Sequence, residues 1–198
     1  MTRLPSLALI VLLAACTPEA TGTEAHKSPT NAATASATER PTPTPAATPQ
    51  PRPTGNWAEP TTKVTVPHNP AVPPVPVLVE VRAGDHAADG YERITFAFRG
   101  PLPSYSFQIV RQVVRDGSGD PVTLPGTTKL SIVFTPARSE AGTGPRDVGY
   151  RRLRGYEQVG DYEGYVSYGL GVEGTAQVRY GESTRPDGTN VVALDIRV

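Results

Sequence analysis

The sequence predicts an all-β fold: an antiparallel β-sandwich built by residues 77–198, carried behind a short apolar leader and a disordered segment rich in Pro, Thr and Ala. Three observations predict it. From Val77 onward, short runs of β-branched and aromatic residues recur between clusters of Gly, Pro and Asp, the spacing of an antiparallel sheet protein. No segment there carries a convincing helical period. The stretch of roughly 120 residues is long enough for one core, and so many strands bury one face each either as a sandwich or as a curled, barrel-like sheet.

The chain opens with one early charge, Arg3, and an apolar run from Leu4 to Ala15 broken only by Pro5 and Ser6. That is the outline of a signal peptide over residues 1–15. A run of about a dozen residues is too short to span a bilayer, which takes roughly 20. Leu13-Ala14-Ala15-Cys16 resembles a lipobox, in which small residues precede a cysteine that becomes thioether-linked to diacylglycerol. Cys16 is the one cysteine of the chain, so no internal disulfide can form, and an odd cysteine in an exported protein calls for an explanation. Lipidation of Cys16 supplies it. Two acyl chains meet the requirement for stable attachment, so the expected location is extracytoplasmic, held on the membrane by lipid.

Residues 16–76 read as a lipid-anchored tether. Pro41-Thr42-Pro43-Thr44-Pro45 and Pro49-Gln50-Pro51-Arg52-Pro53 are its most biased stretches, and too few large apolar side chains are present to offset the entropy of ordering the backbone. A flexible chain of this length reaches about 45 Å root-mean-square, and an all-polyproline one about 180 Å. Trp57 stands alone in the tract, either exposed to solvent or docked on a partner or on the folded domain.

The domain starts with Val77 to Val81, followed by the turn-rich Gly84 to Gly90. In Tyr91 to Arg99, alternation places Ile94, Phe96 and Phe98 with Glu92 on the core face and Tyr91, Arg93, Thr95, Ala97 and Arg99 on the other. Gly100-Pro101-Leu102-Pro103 ends that strand, because proline cannot donate to a ladder. A third strand is expected from Tyr105 to about Val114 with Phe107, Ile109 and Val113 inward. Asp116-Gly117-Ser118-Gly119-Asp120 reads as a turn, and Lys129 to Phe134 as a strand with Leu130, Ile132 and Phe134 on one face. Further strands are expected over 156–160, 164–172, 176–180 and 191–198, with Pro186-Asp187-Gly188 as the last turn.

Two segments carry a family resemblance. Tyr91-Glu92-Arg93-Ile94-Thr95-Phe96-Ala97-Phe98-Arg99-Gly100-Pro101-Leu102-Pro103 with Tyr105, and Gly160-Asp161-Tyr162-Glu163-Gly164-Tyr165-Val166-Ser167-Tyr168-Gly169-Leu170-Gly171, are similar to the two signatures of AMIN-like domains of actinobacterial lipoproteins. The resemblance runs over roughly residues 79–198. It implies a β-sandwich related to AMIN domains, the non-catalytic modules that place cell-wall amidases and other envelope proteins on peptidoglycan.

The titratable residues point away from catalysis. A serine triad needs a histidine and a catalytic zinc usually three protein ligands, yet of the three histidines His26 and His68 fall in the tether and only His86 in the domain. Asp116 to Asp120 offers alternate oxygens like the start of a calcium loop but lacks the glutamate that would close it. Asp161 and Glu163 are either an acid pair on one strand face or rim charges. No cofactor or metal is expected. Lysine and arginine balance aspartate and glutamate at 19 each, so nothing suggests a nucleic acid partner.

Binding is the better prospect. Tyr150, Arg151, Arg152, Arg154, Tyr156, Tyr162, Tyr165 and Tyr168 are dense in one region; tyrosine rings stack on sugars and arginine forks pair with carboxylates. The candidate ligand contacts are Arg152, Arg154, Tyr156, Tyr162, Tyr165 and Tyr168, against the alternative of cross-strand packing. Parity along a strand sets Tyr165 opposite Tyr162 and Tyr168. The expectation is a surface-anchored, non-catalytic module for peptidoglycan or an associated polymer. Its alternative is a module that docks on an envelope enzyme or transporter by adding a strand to a sheet edge.

Overall fold

The computed structural model describes residues 50–198; the leader, Cys16 and the tether up to residue 49 lie outside the described residues. Twelve strands make two six-stranded sheets: β1 (Arg52–Ala58), β2 (Val64–Val66), β3 (Val77–His86), β4 (Tyr91–Arg99), β5 (Ser104–Val110), β6 (Thr128–Thr135), β7 (Arg138–Ser139), β8 (Arg146–Asp147), β9 (Leu153–Tyr162), β10 (Tyr165–Val172), β11 (Val178–Thr184) and β12 (Asn190–Arg197). Sheet I runs β1-β11-β12-β4-β3-β7 and sheet II β2-β5-β6-β10-β9-β8. Every pairing is antiparallel except the short β3–β7 contact. The fold is an all-β sandwich.

Alternation sets the core. Ile94, Phe96 and Phe98 from sheet I and Leu130, Ile132 and Phe134 from sheet II are fully buried, as their spacing requires. Phe134 packs between Phe96 and Phe98 with ring centroids 4.9 Å from each, and Tyr168 meets Phe96 edge-on at 5.3 Å. Such aromatic pairs add about 0.5–1.5 kcal/mol each beyond the area they bury. Glu92, also facing inward, lies at the end of this core and accepts hydrogen bonds from the backbone N–H groups of Arg152 (2.9 Å) and Leu153 (2.6 Å). A strand of one sheet thereby anchors the start of a strand in the other.

Two expectations change. The tether does not run free to residue 76: β1 pairs with β11 (Arg52 opposite Glu182, Pro53 opposite Gly181), and β2 pairs with β5 (Val64 opposite Phe107). The reason is main-chain demand, since β11 and β5 would otherwise present unpaired edges, and an edge strand tolerates proline. Gly181 has no side chain to fend off the Arg52 carbonyl, so the chain approaches closely. His68, beyond β2, is fixed as well: its ring pairs with Glu182 at 2.9 Å and its backbone N–H donates to Ser104 Oγ at 2.8 Å.

The third strand is shorter than expected and stops at Val110. Residues 111–127 leave the sheet and fold over the outer face of sheet II, where Val113, Val122, Leu124 and Val159 form a second small core. Glycines make room for this arm. A Cβ on Gly169 would sit 2.5 Å from Val113 Cγ1, and one on Gly171 would overlap the Pro125 carbonyl. The Asp116–Asp120 segment is the tip of the arm, closed by Arg115 N–H to the Asp120 carbonyl at 2.9 Å.

Candidate functional site

The outer face of sheet I carries a network of ion pairs around a groove. Strand register puts Arg82 beside Thr95, Gly84 beside Arg93 and His86 beside Tyr91, while Thr95 and Arg93 lie against Ala193 and Asp195 of β12. Small residues therefore form a floor and long cationic ones a rim. The result is a groove of about 260 Å³ lined by Arg82, Gly84, His86, Arg93, Thr95 and Arg185, with Gln50 and Pro51 at its far side.

Beneath it lies a buried ion triad. Arg93 holds Asp195 with two bonds, Nε to Oδ1 at 2.5 Å and Nη2 to Oδ2 at 3.0 Å, and Arg179 Nε reaches Oδ2 at 2.9 Å. Burial alone would lower the Arg93 pKa; the hydrogen bond and charge of Asp195 outweigh it and hold the guanidinium above its ordinary value. Aromatic faces complete the packing. Arg179 stacks over the Trp57 ring at 4.4 Å, both guanidiniums lie about 5 Å from the Tyr91 ring (5.0 and 5.1 Å), and Tyr91 stacks on His86 at 4.9 Å. Trp57 is thus docked on the domain through Arg179.

On the rim, Glu80 bridges Arg82 (3.0 Å) and Arg185 (2.7 Å). Four guanidiniums, Arg82, Arg93, Arg179 and Arg185, are paired with only two carboxylates, Glu80 and Asp195. Nearby Asp187 turns its carboxylate to the Thr189 backbone N–H at 2.9 Å, a bond that holds it below the usual carboxylate range. Three guanidiniums, Arg82, Arg93 and Arg185, line the groove and, among the described residues, no carboxylate does, although the whole chain is neutral. Planar forks in this arrangement suit phosphate or carboxylate oxygens.

The tyrosines and arginines singled out in the sequence do not assemble into one surface. Tyr168 is buried and donates to Gln158 Oε1 at 2.9 Å; burial pushes its phenol up to about 12. Tyr156 is half-buried with its hydroxyl toward the Val81 carbonyl at 3.4 Å, and burial raises its pKa as well. Arg154 donates to the Tyr150 carbonyl at 3.1 Å, and Arg152 to the Thr175 carbonyl at one end of the sandwich. Only Tyr162 and Tyr165 meet in the open, 71% and 50% exposed. They are cross-strand partners on one face, because parity counted along a single strand does not carry through the two-residue turn Glu163-Gly164.

That turn also separates Asp161 from Glu163, which adopts φ 50° and lies off the strand, while Asp161 accepts from the Ser139 N–H at 3.1 Å. Tyr91 stacks on the ring of His86. Among the described residues no three His, Cys, Asp or Glu side chains converge as metal ligands, and no helix is long and apolar enough to cross a membrane. The groove escaped sequence reading because its residues come from four separated segments, around residues 50–51, 82–86, 93–95 and 185–191. Its signal was present, though, in Arg93 and Thr95 on the non-core face of β4.

The model of the family described as AMIN-like domain matches residues 76–197, well over half of the chain. No curated protein and no solved structure matches the chain.

Proposed function

The chain belongs to the AMIN-like domain family, and from that premise we propose that it is a non-catalytic wall-binding module, anchored outside the membrane by lipid on Cys16, whose ligand is peptidoglycan or a polymer attached to it. AMIN-like domains are extracytoplasmic modules associated with the envelope, which sets the class of partner. The observation that carries the finer reading is the groove on the outer face of sheet I lined by the guanidiniums of Arg82, Arg93 and Arg185. Wall polymers present acidic groups on sugars and peptides, and arginine forks take such groups in bidentate geometry.

Co-sedimentation with purified sacculi tests this. The wild-type chain should pellet with them at physiological salt, and Arg82→Ala together with Arg185→Ala should weaken retention several-fold. No retention of the wild type would refute wall binding and turn attention to a protein partner in the envelope. Anchoring has its own test: Cys16→Ser should release the protein from the membrane or leave it unprocessed, and a mature membrane-bound Cys16→Ser form would refute lipidation.

A further inference from the structure

The groove is one part of a longer furrow. A second depression, lined by Glu80, Arg82, Arg185, Pro186 and Asp187, shares Arg82 and Arg185 with the first. Along β3 the furrow passes Glu80 with its bound Arg185, then Arg82, then Gly84 with Arg93 beside it, then His86. Positions 80, 82, 84 and 86 alternate on one strand face and span about 20 Å of backbone, with Arg82 and Arg185 gathered on the two oxygens of Glu80 at one end, Arg93 beside Gly84 in the middle and His86 at the other end. A compact anion would need one converging pocket. A file of guanidiniums ending at an imidazole fits charges repeated along a chain.

The floor supports the same occupant. Gly84 carries no side chain, and a Cβ there would come within 3.1 Å of His86 Nε2, so the imidazole lies down over the strand instead of blocking the furrow. Thr95 and Ala193 keep the middle low. Arg93 is pinned underneath by Asp195 before any ligand arrives, whereas Arg82, 70% exposed, is held by a surface ion pair with Glu80.

We propose that this furrow binds a linear polyanion, a flexible polymer bearing phosphate or carboxylate groups along its length. The wall as the source of that polymer rests on the function proposed above; the polyanion preference of the furrow does not.

The experiment uses the full mature chain in detergent. It is pelleted with intact sacculi, with sacculi stripped of phosphodiester-linked polymer by hydrofluoric acid, and with stripped sacculi whose carboxylates have been amidated. In parallel it is titrated with inorganic polyphosphate and with orthophosphate. Loss of retention on stripping assigns phosphate as the anion, and loss only after amidation assigns carboxylate. Polyphosphate should bind far better than orthophosphate, and Arg82→Glu with Arg185→Glu should cut affinity about tenfold or more, since two attractive contacts become repulsive. Arg151→Glu, an exposed charge change outside the furrow, should leave binding unchanged. Binding to polyphosphate without any retention by sacculi would uphold the furrow and sink the wall as its source. Retention that survives both treatments, affinity untouched by the Arg82 and Arg185 reversals, or no binding to any of these probes would overturn the polyanion proposal.

Discussion

Asp195 is the single side chain on which the outer face of sheet I depends most. It is 2% exposed and neutralises Arg93 and Arg179 together, so removing its charge strands two guanidiniums against a low-dielectric floor. Asp195→Asn should destabilise the domain by about 3–5 kcal/mol in chemical denaturation, the cost of an uncompensated buried charge. A change below about 1 kcal/mol would mean that water reaches the triad. Tyr168 gives a pH prediction. Its unfolded phenol titrates near 10.0 and its folded one near 12, so the folded state holds the proton more tightly. Stability from this group is complete below pH 10 and is lost as pH rises through 12. Tyr105, whose pKa burial and its bond to Glu182 also raise, acts in the same direction. The tyrosinate absorbance of the buried phenols should therefore appear together with the loss of β-sheet circular dichroism, and Tyr168→Phe should shift that alkaline transition upward. At this scale the core was legible, because Ile94, Phe96 and Phe98 obey simple alternation. Tyr162 and Tyr165 were not, because their facing depends on a turn whose length parity cannot see.

At the scale of elements, glycines and prolines decide what packs where. Gly171 lies under the arm 111–127, and a Cβ there would overlap the Pro125 carbonyl, so Gly171→Ala should cost about 1–3 kcal/mol through overpacking. Gly188 has open space at φ 82°, and Gly188→Ala should cost only the backbone strain of about 1–2 kcal/mol without loosening the arm. Limited proteolysis within residues 111–127 would separate the two: faster cutting for Gly171→Ala alone is expected, and equal cutting would contradict the packing account. β1 and β2 were hidden in the sequence by their surroundings. Their threonines and prolines match the composition of the tract before them, and only the bare edges of β11 and β5 recruit them into sheets. A fragment beginning at residue 50 should accordingly melt at a distinctly higher temperature than one beginning at 77, which loses both edge strands and the Trp57 contact with Arg179. Equal melting temperatures would show that these strands add nothing to stability.

For the whole molecule, net charge misleads. The chain sums to zero, yet Arg82, Arg93, Arg179 and Arg185 share two acids, Glu80 and Asp195, on the outer face of sheet I, while Glu157 and Glu140 take up Arg115, Arg99 and Arg138. Composition can exclude a strongly basic protein but cannot reveal a basic face, which is created when β3, β4, β11 and β12 come side by side. The fold class was legible because alternation and turn chemistry are local. The candidate site was not, because it is a product of strand order. The claim that joins fold to function is that ligand enters over Arg82 and Arg185. An arginine-directed footprint tests it most directly: the mature chain, free and bound to solubilised wall fragments, is labelled with a guanidinium-selective reagent and mapped by mass spectrometry. Protection of Arg82 and Arg185 on binding, with Arg99, Arg115 and Arg138 as reactive as before, is the predicted result. Bound protein in which Arg82 and Arg185 stay fully reactive would contradict the account.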